Sequence, residues 1–185
     1  MEDLIIDIET AGTAPDAKII SIGAVFIDRR TGIMGNEFYD KMDSEYGANS
    51  VRTTDSSTMR WWEKVAPVEA KDEAWSGEED LETTLKRFKE WVRANCSLNK
   101  VRPWGNGSVF DMILLENAYR QIEVPPPWKF YNIRDVRTVL DMASVNKKTA
   151  LSFEGIEHHA LWDAKHEASL VLLALKKLQK AGFSW

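Results

Sequence analysis

The stretch DLIIDIET, residues 3–10, decides how the rest of the chain is read. Leu4, Ile5, Ile6 and Ile8 are apolar and mostly β-branched, the composition of a buried strand. Inside that run stand two acids, Asp7 and Glu9. Side chains alternate faces along a strand, so these two share one face, roughly 6–7 Å apart at the backbone. Carboxylates that close repel each other, and burying either without a partner is costly. A bound cation removes both problems. The ordinary alternative is an edge strand whose acidic face meets water.

Working outward, KIISIGAVFIDRR from Lys18 and IMGNEFYDK from Ile33 are two more strand-like runs, with a turn at Thr31-Gly32 between them. Three strands in quick succession suggest an antiparallel meander. Asp55 to Val65 reads as a helix and carries Trp61 and Trp62. Ser76-Gly77-Glu78-Glu79 has capping-box spacing, and Leu81, Leu85, Phe88 and Val92 then recur at helical intervals. Lys100–Trp104 is a short strand ending at Gly105, with a helix from Phe110 to Ile122 behind it. Pro125 to Pro127 must be loop. FYNIRD from Phe130 is a fifth strand candidate, and Asp135 to Met142 a short helix. Asp163 to Ala181 is a long amphipathic helix, stopped by Gly182. A meander followed by alternating helices and strands predicts an α/β fold: a mixed five-stranded sheet flanked by helices, in one domain over residues 1–185.

Composition is that of an ordinary globular protein with a sizeable core. The single cysteine, Cys96, allows no internal disulfide, which suits a reducing, cytoplasmic setting. The acidic start MEDLIIDIET lacks the basic opening of a signal peptide, and no apolar run reaches membrane-span length. A net charge of −5 argues against a broadly basic nucleic-acid coat. It leaves room for a nuclease, whose own acids are partly neutralised by metal ions.

A metal site needs acids from more than one strand. Mg²⁺ and Mn²⁺ favour oxygen ligands and sit with carboxylates and phosphates. In WGNGSVFD, Gly105 and Gly107 let the backbone turn, and Asp111 follows near the start of a helix. In HHALWDA, residues 158–164, Asp163 opens the last helix and His158 precedes it by five positions. Taken alone, Asp111 reads more readily as an ordinary helix N-terminal carboxylate favoured by the dipole, and Asp163 reads as well that way as any other. The ordered set, D-x-E then Asp then His-x4-Asp, is what singles them out.

That set resembles the DEDDh group of 3′–5′ exonucleases, relatives of ribonuclease T, oligoribonuclease and replicase proofreading subunits. Asp7, Glu9 and Thr10 match the first motif, GNGSVFD with Asp111 the second, and His158, Ala160 and Asp163 the third. SIGAV in the second strand is similar to the group's second strand, and the likeness runs from residue 4 to about 175. It implies a ribonuclease H-like fold and metal-dependent release of nucleoside 5′-monophosphates from 3′ ends of single-stranded DNA or RNA. It implies two divalent ions, Mg²⁺ or Mn²⁺, bound by Asp7, Glu9, Asp111 and Asp163, typically about 3.5–4 Å apart. His158 would be the general base, a task suited to imidazole, with its usual pKa of about 6.5. A related group carries Tyr-x3-Asp instead. That spacing falls on His159, expected to be structural or on the substrate side, while His166 is given no role. The resemblance also assigns Thr10 and Asn106 to substrate, and many relatives are dimers, so a homodimer is an open expectation. Of Trp61 and Trp62, one is expected in the core with Met59 or Val65 and the other against a nucleobase.

Two competing readings carry less. Glu69-Ala70-Lys71 matches the E-x-K of restriction-like nucleases but follows Pro67 and lies off any strand. A catalytically silent nucleic-acid-binding module on the same fold would be expected to have lost a metal acid, and none is lost.

Overall fold

The computed structural model describes residues 1–184. Strands β1 (Asp3–Thr10), β2 (Ile19–Asp28), β3 (Ile33–Lys41), β4 (Arg102–Gly105) and β5 (Arg134–Asp135) form one mixed sheet in the order β3-β2-β1-β4-β5. β2 runs antiparallel to β1 and β3, while β4 is parallel to β1 and β5. β1 is therefore the central strand, which removes the edge-strand reading of its acids.

Alternation along β1 divides the core. Leu4, Ile6 and Ile8 enter one apolar layer with Leu85, Phe88 and Val92 of α3 (Leu81–Asn95) and Leu114 and Leu115 of α4 (Ser108–Gln121). Ile5 enters the opposite layer with Val139 and Leu140 of α5 (Val136–Met142) and Ala164, Ala168 and Val171 of α6 (Ala160–Lys180). Asp3, Asp7 and Glu9 share the parity of Ile5, so they lie on the α5–α6 side. Asp3 is fully answered there. Burial works against its charge, but Arg102, Arg29 and the Trp104 indole, at 2.9 Å, hold its carboxyl below the usual range.

The seat of α6 depends on one glycine. Gly23 of β2 stands opposite Asp7 in the β1–β2 register. A Cβ at Gly23 would fall 2.1 Å from the carbonyl carbon of Ala160 and 2.2 Å from the nitrogen of Leu161. Only a hydrogen at that position lets the first turn of α6 descend onto the sheet beside Asp7.

The elements differ from the sequence reading in four places. Phe130–Asn132 form a 3-10 turn, and the fifth strand is only Arg134–Asp135, because β4 offers just Trp104 and Gly105 as partners. Helix α2 (Val68–Ala74) was not expected; Pro67 pre-sets its entry, and Ala70 and Ala74 share a buried side. Glu69 and Lys71 thus lie on a helix, which disposes of the E-x-K reading. The cap of α3 is Asp80, which accepts from Thr83 N at 3.2 Å, not Ser76. Gly77 in that supposed box instead presses against β3's end, where a Cβ would lie 2.4 Å from Met42 N. Helix α6 starts at Ala160, before Asp163, because His159 caps it through Nδ1. Gly182, at φ +95°, follows its end as expected. Among the described residues no helix is long and apolar enough to cross a membrane.

Gly23→Ala should destabilise the fold by about 1–3 kcal/mol or more, the scale of an overpacked core, because Ala160 can retreat only by lifting α6. Urea unfolding measures this. An unchanged midpoint would mean that the α6–β2 contact is not a close one.

Candidate active site

Asp7 and Glu9 lie towards the C-terminal end of β1, half-buried between fully buried isoleucines. Asp111 is in the first turn of α4 and Asp163 in the first turn of α6, so both helix N-termini place partial positive charge near the acids. Gly105 makes room for Asp111: a Cβ there would fall 2.7 Å from its Oδ2. The structure brings these four expected acids into one electrostatic cluster.

The cluster is under-compensated. Burial pushes the Asp7 carboxyl well above its usual range, and the charges of Glu167, Asp111, Glu9 and Asp163 push it further. Glu9 is raised by burial, then by Asp163, Asp111 and Glu167. Burial lifts Asp111 to about 7, against the N–H groups of Asp111, Ile8 and Asn106 and the charge of Arg137. Asp163 is raised by burial and partly relieved by His158. Its Oδ2 is buried without a hydrogen-bond partner. The contrast with Asp3 on the same strand is direct: Asp3 has its cations built in, while the charges acting on Asp7 and Glu9 are all those of other acids. A divalent cation is the group that this donor set fits, being all oxygen, negatively charged and partly unpartnered.

His158 stands at the edge of the cluster. One ligand-type atom from each of Glu9, His158 and Asp163 lies within 4.8 Å of the others. The backbone of His158 is left-handed, φ +63°, an uncommon state that histidine adopts more readily than most residues. His159 has a different job. Its Nδ1 accepts from Leu161 N at 3.2 Å, and its ring stacks on Tyr39 at 4.2 Å between centroids. Burial lowers its pKa. It is the helix cap, the structural side of the expectation for it. Near His158 and Asp163, a cleft of 640 Å³ is lined also by Lys147, Lys148, Phe153 and His166.

The tryptophans separate. Trp62 is buried with Ile20 and Ala74, and its indole donates to Thr10 O at 2.9 Å. This corrects its expected partners: Val65 and Met59 are both exposed. Trp61 remains half-exposed, its ring edge-on to His158 with centroids 4.7 Å apart. The Thr10 hydroxyl donates to Gly12 O at 2.7 Å, and Asn106 Oδ1 accepts from Arg137 Nε at 3.3 Å.

Glu167 was missed. It is buried, and its Oε1 accepts from Lys147 Nζ at 3.1 Å. Burial lifts its carboxyl to about 8 despite Lys147, and Asp111 and Asp163 raise it too. The available signal was spacing: it lies one helical turn after Asp163, within the apolar side of α6.

Two carboxylates on a central strand, two at helix starts and a histidine beside them are the arrangement of DEDDh exonucleases. The chain belongs to the family of the 3′–5′ exoribonuclease Rv2179c-like domain, whose model matches residues 2–175. It is similar to an exodeoxyribonuclease of Enterobacteria phage T4, 27% identical over 165 aligned residues that cover 76% of this chain and 71% of the phage protein. In fold it is similar to the nuclease domain of 3′hExo, a DEDDh family member bound to rAMP. That match has 16% identity, 96% of this chain, 92% of that one and a TM-score of 0.61. It is also similar to E. coli exonuclease I in complex with a dT13 oligonucleotide, at 14% identity and TM-score 0.68, covering 97% of this chain but 42% of that one. The expected family, ribonuclease H-like fold and hydrolase class therefore hold.

The raised acids fix a pH dependence. Each binds its proton more tightly in the folded than in the unfolded chain, where carboxylates titrate near about 4. Their contribution to metal-free stability is present below that pH. It is lost as pH rises through the folded values, about 7 for Asp111 and about 8 for Glu167. The melting temperature in chelator should thus fall between pH 5 and pH 9 (roughly the window between these values). Asp7→Asn should raise it and flatten the slope. A variant that melts with the same pH slope as the parent would contradict the crowding of charge.

Proposed function

We propose that the protein removes nucleoside 5′-monophosphates from a free 3′ end of single-stranded nucleic acid by a two-metal mechanism. Asp7, Glu9, Asp111 and Asp163 would hold the divalent ions, Mg²⁺ or Mn²⁺. The observation that carries this is the convergence of four under-compensated acids with His158 beside Glu9 and Asp163. Divalent cations held there would supply Lewis acidity for activating water and for the charge that develops on a leaving oxygen. His158 takes the proton of the attacking water. Its left-handed backbone and position just ahead of α6 favour this over His159, whose Nδ1 is committed to the helix.

Trp61 offers a half-exposed aromatic face beside His158, suited to a terminal base, whereas Trp62 is spent on the core. Thr10 and Asn106 line the approach in this reading, from the end of β1 and the β4–α4 turn. The family description points to RNA and the phage relative to DNA. Matched end-labelled RNA and DNA oligonucleotides, single- and double-stranded, decide between them by product length. A 3′-phosphate or a closed circle should resist attack, and rapid cutting of the circle would overturn the exonuclease polarity.

Alanine at Asp7, Glu9, Asp111 or Asp163 should nearly abolish hydrolysis. Near-normal turnover of all four at saturating Mn²⁺ would refute the site. His158→Ala should lower kcat by roughly 10²–10⁴-fold, the scale of general-base catalysis, while Mn²⁺ binding survives. Loss of Mn²⁺ binding would make His158 a ligand instead. His159→Ala should cost about 0.5–2 kcal/mol of stability as a lost cap, with a much smaller change in kcat. The reverse pattern would exchange the two roles.

A further inference from the structure

Glu167 is the acid that the proposed chemistry leaves unused. Its side chain is 1% exposed. Its Oε1 is answered by Lys147, but its Oε2 is buried with no hydrogen-bond partner. A buried carboxylate oxygen left empty is costly and calls for an explanation. The charge of Glu167 acts on Asp7, and those of Asp111 and Asp163 act on Glu167, so this carboxyl belongs to the same cluster.

Lys147 differs in kind from the arginines that hold Asp3. It is 42% exposed, sits on the loop between α5 and α6, and makes a single contact with Glu167. A flexible ammonium on a solvated stem is a replaceable counter-charge, unlike a fixed guanidinium fork. The bland account is a buried ion pair that pins this loop to α6. It explains Oε1 alone. It gives no reason to place the pinning acid beside four other carboxylates, where each like charge raises its cost.

We propose that Glu167 is a fifth acid of the metal centre: a positioning residue that supports the divalent cation from α6 through Oε2, with Lys147 as the counter-ion that neutralises it until the cation binds. The inference rests on the four-acid metal site proposed above. It extends that site to a carboxylate one helical turn further along α6.

The test is calorimetric titration of Mn²⁺ into the parent protein and the variants Glu167→Gln, Lys147→Met and Asp7→Asn, each first checked for a cooperative melt in chelator. Glutamine retains the size of Glu167 and its contact with Lys147 but removes the charge. Glu167→Gln should weaken Mn²⁺ binding by about 10–100-fold, the scale seen when a carboxylate supporting a metal ligand is lost. Lys147→Met should strengthen binding, since it frees Glu167 of its competitor. A loop pin predicts otherwise: both variants would lower the melting temperature and leave Mn²⁺ affinity alone. If Glu167→Gln binds Mn²⁺ like the parent while Asp7→Asn does not, the fifth acid is refuted and the four-acid site stands. If Asp7→Asn also binds like the parent, the four-acid site fails and this inference with it. Should Glu167→Gln not fold, Lys147→Met decides alone, and weaker or unchanged binding there overturns the proposal.

Discussion

Five carboxyl groups, those of Asp7, Glu9, Asp111, Asp163 and Glu167, share one partly enclosed space, and the fold has to hold them there against their mutual repulsion. At the separations of such a cluster, like charges in a medium less polar than water repel by several kcal/mol per pair at effective dielectric constants of about 20. The metal-free protein meets this by retaining protons, which is what the raised carboxyl values express. No single interaction in the site is attractive enough to assemble it. Its geometry is therefore imposed from outside, by parts of the structure that are stable for other reasons.

Those parts can be named. β1 is paired with β2 along its length and with β4 over Asp3–Ile5, and it is covered on both faces, so Asp7 and Glu9 cannot move without breaking the β1–β2 ladder. Asp111 is fixed by the start of α4 and by the space that Gly105 leaves it. Asp163 and Glu167 ride on α6, whose apolar side is buried along Ala164, Ala168, Val171 and Leu175. The contact of Ala160 with Gly23 sets the height of that helix over the sheet. A site that is repulsive without its ligand is placed on rigid elements because loops would relax away from it. The energy for this comes from the two apolar layers, and a cation recovers much of the electrostatic cost on binding.

Much of this was legible in the sequence, for reasons that differ by residue. Asp7 and Glu9 were visible because strand alternation is a strict rule and acids in an apolar run violate it. Asp111 and Asp163 were visible only as members of an ordered set, since an acid at a helix start is commonplace. Glu167 was hidden by that same commonness: an acid within a helix reads as surface until burial is known, and the apolar pattern around it absorbs one exception. β5 was overlong because strand length depends on the partner, and β4 is short. The pair Trp61-Trp62 showed that adjacent positions must diverge, but not which one faces the core. That choice follows from where α1 (Ser56–Lys64) lies against β2, a tertiary fact.

The spacing of the third motif has a local physical cause. His159 is the N-cap of α6, so His158 is the residue before the cap and Asp163 the fourth helical residue. In an ordinary helix start those two positions meet as a hydrophobic staple, an apolar pair that fixes the angle at which the chain enters the helix. Here the same geometry is filled by an imidazole and a carboxylate, and the apolar staple is absent. What replaces its hold on the entry angle is the cap itself: His159 accepts from Leu161 N and stacks on Tyr39 of the edge strand β3. The two histidines are thus one device. The second bonds the helix and the sheet so that the first, in a left-handed turn with φ +63°, stands over the acids. A residue one position later could not do both tasks, since its side chain would be taken up by the backbone N–H groups of the first turn.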